Sequence, residues 1–244
     1  MRKIFPVAVA FAMSFLGAAF AAPLITACTT ITQPGSYLLL NNLSSGGNCI
    51  VVSASYVTLD LNGFMVNGNG KGGSGISELP GSAIRSITIR NGHITGFAQA
   101  ISFPQSTGVV IERITAIGNT GNAITAGDMA TVRDSATHMN GGNGIQLGLF
   151  SLVRGNASSE NGGLGIFVST GGQIVDNDVA HNGGTGINAG EGANVVHNVS
   201  RNNGLSGIFV ECPSAVVGNA ATNNLGQNLE LLGGACEADH NSAL

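Results

Sequence analysis

Six residues recur at a fixed interval of 21: Thr125, Gln146, Phe167, Asn188, Phe209 and Glu230. Two aromatic rings with an amide between them and a carboxylate after them suit an extended sugar chain. Ring faces stack on sugar faces, and amides bond hydroxyls. A second series at the same interval reads Arg113, Asp134, Gly155, Asp176 and His197. A carboxylate beside an imidazole can move a proton, so Asp134, Asp176 and His197 are the candidate catalytic groups. Asp178 stands close to Asp176, and the two could hold Ca²⁺, a hard cation that takes oxygen ligands. Each series also has a plainer reading. The rings could lie beneath a loop or the C-terminal tail, and the acidic series could be solvated turn residues.

Either chemistry requires residues 21 apart to be neighbours in space. The rest of the sequence supplies that. Asn119, Asn140, Asn161, Asn182, Asn203 and Asn224 form an unbroken column. Five residues after each comes an aliphatic residue: Ile124, Ile145, Ile166, Ile187, Ile208, Leu229. Eight residues before each comes another: Ile111, Val132, Val153, Ile174, Val195, Val216. A second Asn column, Asn156, Asn177, Asn198 and Asn219, runs beside the first. A fixed period in the twenties marks a solenoid whose coils stack strand on strand. The alternation Ile-x-(Val/Leu/Ala) points aliphatic side chains inward as ladders. Asn at the corners tolerates a left-handed backbone and can bond its own copies above and below.

Composition sets outer bounds. Gly numbers 38 and Asn 25, hydrophobic residues are 43% and charged residues only 9%. That is too apolar for a disordered chain and suits strands joined by tight turns. Residues 1–22 read as a secretory signal peptide: Arg2 and Lys3, an apolar run, then Ala19-Phe20-Ala21. No other stretch is long and apolar enough to span a membrane. Beyond Arg2 and Lys3 stand 7 basic and 13 acidic residues, a formal charge of −6, which disfavours nucleic acid as a partner. An exported chain with four Cys should pair them, most simply as Cys28–Cys49 and Cys212–Cys236. The localisation expected is secreted or periplasmic.

The stretch V-x-G-N-x-x-x-x-N-G-G-x-G-I-x-V, as it stands at Val153 to Val168, resembles the right-handed parallel β-helix. Pectate lyases, polygalacturonases, alginate epimerases and periplasmic NosD-like proteins share that fold. The resemblance covers residues 86–232. It implies an all-β, single-stranded parallel solenoid of about ten coils over residues 23–244, roughly 48 Å long. The coils of 23–85 are irregular, those of 86–232 regular, and 233–244 should form a cap over the open end. The Gly- and Ser-rich stretch 68–83 reads as an excursion from one coil. The motifs these enzymes carry (N-T-D with G-H-G, R-x-P-x-x-R, D-P-H) are absent, and "NGHITG" lacks the second Gly. Two functions follow. One is a non-catalytic module bound to extracellular or cell-wall polysaccharide. The other is a polysaccharide lyase, hydrolase or epimerase using Asp134, Asp176 and His197, with Ca²⁺ as the cofactor such a lyase would use. The missing motifs and the short chain favour the first.

Overall fold

The computed structural model describes residues 22–243. Apart from Ala22, the leader expected over 1–22 lies outside the described residues. The chain is all-β, a parallel solenoid of about ten coils of roughly 21 residues, and the described residues contain no helix.

One coil shows how the sequence builds the rest. Ile145–Leu147, Leu152–Arg154 and Ala157–Ser159 are three short strands separated by turns. Each pairs in parallel register with the strand 21 residues on: Ile145 with Ile166, Val153 with Ile174, Ser158 with Val179. The first strand of every coil joins a ten-stranded sheet. The other two strands form a longer, bent sheet of 19 strands. In Ile145–Leu147 the flanking residues are buried and Gln146 faces outward. Ile124, Ile145, Ile166, Ile187 and Ile208 are buried as one column, as are Val132, Val153, Ile174, Val195 and Val216. Burying a side chain of this size is worth about 1.5–3 kcal/mol, so these ladders are the main cohesive force between coils.

The Asn columns line the two corners. Asn161 Oδ1 accepts from the backbone N–H of Asn140 at 3.2 Å and from Asn140 Nδ2 at 2.9 Å. Asn161 Nδ2 donates onward to Asn182 Oδ1 at 3.0 Å and to the Thr137 carbonyl at 3.1 Å. The last rung, Asn224, is closed from within its own coil, where Asn228 Oδ1 accepts from Asn224 N–H and Nδ2. The second column behaves alike, and Asn241 extends it by accepting from Asn219. Among the described residues every buried side-chain nitrogen and oxygen has a hydrogen-bond partner.

Three observations refine the sequence reading. The stretch 68–83 is not a single excursion: Ser74–Glu78 is a largely buried strand of the ten-stranded sheet. Its one glycine serves close packing, since a Cβ on Gly75 would meet Ile94 at 2.5 Å and the Ala100 carbonyl at 2.8 Å. Residues 79–83 form the exposed turn that follows this strand. The segment after Gly233 adds Glu237–Asp239 and Ser242–Ala243 to the bent sheet, covering the edge of the preceding coil. Both disulfides, Cys28–Cys49 and Cys212–Cys236, are formed, each tying successive coils at one end of the stack.

Candidate functional site

Parallel register places Thr125, Gln146, Phe167, Asn188, Phe209 and Glu230 directly above one another on the outer face of the ten-stranded sheet. All six are half-buried. The C-terminal segment joins the bent sheet instead of folding across Phe167 and Phe209. Ser102 and Ser77 continue the column toward the N-terminus, a part the 21-residue count missed because those coils are longer.

Two shoulders flank this column. On one side Asn122 and Asn143 both donate to Gln146 Oε1, at 3.1 and 2.9 Å, so that amide is held in one orientation. Further along, Ser206 donates to Glu230 at 2.5 Å. On the other side lie Met129, Leu149 and Phe150. Met129 and Phe150 have φ of 54° and 55°, a left-handed backbone that bulky residues rarely adopt. Neighbouring coils put Gly108, Gly171 and Gly192 at the same place. Phe150 is nonetheless 64% exposed, with its ring resting over Gly171. In sequence the column reads Gly108, Met129, Phe150, Gly171, Gly192, so two large apolar residues stand where the flanking coils have Gly.

Between the shoulders the face is concave. A cavity of about 280 Å³ is lined by Thr125, Asp128, Gln146 and Phe167. A second, of about 260 Å³, is lined by Asn48, Ser74, Ser77, Glu78, Ser102 and Gln105. They meet at Pro104. Glu78 is buried, and its carboxylate accepts from the Gln105 N–H at 2.9 Å and from the Ser106 hydroxyl.

The acidic series occupies the bend within the 19-stranded sheet. Arg113, Asp134, Gly155, Asp176 and His197 all have φ between 51° and 64°. Asp176 and His197 are brought together, with Oδ1 and Nδ1 3.8 Å apart, and Arg154 Nε lies 3.5 Å from the other Asp176 oxygen. Both Asp176 and His197 are exposed, at 44% and 65% of their side-chain surface. Asp134 sits two coils back in the same column. Asp178 points elsewhere: both its oxygens are engaged by Arg201, at 2.6 and 3.2 Å. No group of three or more His, Cys, Asp or Glu that could hold a metal occurs among the described residues. Glu112, Arg133 and Arg154 do stack, but only Arg133, with Arg113, bonds the buried Glu112.

No family model matches this chain, and no curated protein matches it. Solved structures do. The A-module of mannuronan C-5 epimerase AlgE4 from Azotobacter vinelandii is similar with a TM-score of 0.56 at 17% identity, over 81% of this chain and 65% of the module. The periplasmic alginate epimerase AlgG is similar with a TM-score of 0.55 at 14% identity, over 86% of this chain and 69% of AlgG. The Dettilon tailspike protein is similar with a TM-score of 0.60 at 16% identity, over 85% of this chain and 51% of the tailspike. The shared property is the right-handed parallel β-helix. The chain spans less than two thirds of the length of the AlgE4 module and of the tailspike.

Proposed function

We propose that the protein is an exported polysaccharide-binding β-helix, with the sugar chain lying across successive coils along the outer face of the ten-stranded sheet. The observation that carries this reading is the stacked column itself. Phe167 and Phe209 lie about 10 Å apart on one open face, two coils from each other, with Asn188 between them. Gln146, fixed by Asn122 and Asn143, offers an oriented amide next to Phe167. Phe150, on the shoulder, supplies a further apolar surface. The similar solved structures include epimerases named for mannuronan and alginate, which keeps polysaccharides first among ligand classes. The paired cysteines suit an oxidising compartment outside the cytoplasm.

A glycan array probed with and without calcium tests this directly. The double variant Phe167→Ala, Phe209→Ala should weaken binding roughly ten- to hundredfold, since each stacking contact is worth about 0.5–1.5 kcal/mol. Unchanged binding in that variant removes the reading.

A second reading rests on the meeting of Asp176, His197 and Arg154 at one bend. There the protein would be a polysaccharide-acting enzyme, with Asp176 as the base and Asp134 as an accessory carboxylate. Asp176→Ala separates the two readings. It abolishes turnover in an enzyme and leaves affinity on the other face untouched in a binder.

A further inference from the structure

We infer that the polysaccharide held on this face carries no acidic groups. The inference rests on the binding reading above and concerns what kind of sugar chain the face accepts.

The argument is one of charge placement. None of the ten strands of this sheet contains a Lys or Arg, and neither cavity on its face is lined by one. Carboxylates are present instead: Glu78 in the first cavity, Asp128 in the second and Glu230 at the end of the column. Arg90, Arg113, Arg133, Arg154 and Arg201 all belong to the other sheet, and each is paired there with a carboxylate.

The carboxylates of the binding face are held in place by uncharged donors. Glu78 is 6% exposed and takes its bonds from the Gln105 N–H and the Ser106 hydroxyl, Asp128 from the Leu149 N–H, and Glu230 from Ser206. Hydrogen bonds orient a charge without cancelling it. A uronate or sulfate entering the first cavity would approach the Glu78 charge, which lies at the back of the cavity wall at the inward register position of Val52, through poorly screened protein, where like charges repel most strongly. A sugar hydroxyl meets no such penalty. It can donate to a carboxylate oxygen, and Ser77, Ser102 and Gln146 can donate and accept in turn. A neutral chain therefore satisfies the face, whereas an anionic chain finds no counter-charge on its strands or cavity walls; the cation nearest in sequence is Lys71, in the turn before Ser74–Glu78. The named substrates of the similar epimerases are not a guide to this surface.

The test compares a neutral gluco-oligosaccharide with a mannuronate oligomer of equal length, by titration calorimetry on the intact protein at low and high salt. The neutral oligomer should bind at least about tenfold more tightly at low salt, and the gap should narrow as salt screens the repulsion. Glu78→Gln combined with Glu230→Gln should narrow the same ratio without added salt. A mannuronate oligomer that binds as tightly as the neutral one, or a gap insensitive to salt, overturns the inference and leaves polysaccharide binding standing. Failure of every oligosaccharide to bind overturns both together. The salt series on the unmodified protein decides the matter even where the double variant does not fold.

Discussion

Two columns run through six coils of this solenoid, six residues apart, and they obey different rules. Asn119 to Asn224 is the same residue in all six coils. Thr125 to Glu230 holds a hydroxyl, two amides, two rings and a carboxylate in the same six coils. The first column lies almost wholly in the dark, where each side chain must satisfy its predecessor and be satisfied by its successor. Any exception leaves two rungs broken. The second column faces outward, where water meets any polar atom a ligand does not. Stacking forces uniformity only where a residue has no alternative partner. Variation along an outward column is therefore where a ligand preference can be written without disturbing the fold.

Breaking the first column should have the largest effect. Asn182→Leu removes the acceptor for Asn161 N–H and Nδ2, and the donor to the Ser158 carbonyl and to Asn203. With several buried groups unpaired, a loss of about 3 kcal/mol is expected in denaturant unfolding. Unchanged stability would show that the column is decorative. Reduction of Cys28–Cys49, which closes a loop of sequence separation 21, should also cost about 3 kcal/mol. Thermal unfolding with and without reductant measures it.

Mutating the second column should invert that pattern. Phe167→Ala with Phe209→Ala should lose oligosaccharide affinity but lower unfolding stability by only about 2 kcal/mol for two residues, less than Asn182→Leu alone, since both rings are half-buried on the outer face. A large loss of stability would place the rings in the structural class with Asn182. The smallest effect belongs to Asp60, on the bent sheet. Burial pushes its carboxyl pKa up, but bonds from the Asn62 N–H, Asn91 and Arg90 outweigh that and hold it below the ordinary value. A lowered folded pKa means the stabilisation is complete above the unfolded value, about 3.9, and fades as pH falls through the lower folded one. Asp60→Asn should flatten that acid limb by under about 1 kcal/mol and leave the outer face of the ten-stranded sheet unaffected.

The uniform columns were legible in the sequence because repetition is itself the signal: Ile145, Asn161 and Val153 each announce a register that the coordinates repeat. The outward series was legible in position for the same reason. Much of what surrounds it was not. Ser77 and Glu78 lie in coils where Ile50, Ile76 and Ile101 pair at intervals longer than 21, so a fixed count steps over them. Gly75 belongs to a stretch whose composition reads as loose, because composition alone cannot separate a flexible glycine from one that a neighbour's carbonyl touches. Asp178 looked like a partner for Asp176 by adjacency in sequence, but it begins the next strand, and a bend between the two sends it to Arg201.

The two disulfides join first coil to second and last to next-to-last. In a stack where each layer rests only on its neighbours, the end layers hold the fewest contacts and are the first to peel. Covalent clasps near both ends of the described stack hinder that peeling, so each end coil should separate together with the neighbour it is tied to, while the exposed strands after Cys236 stay outside the clasp.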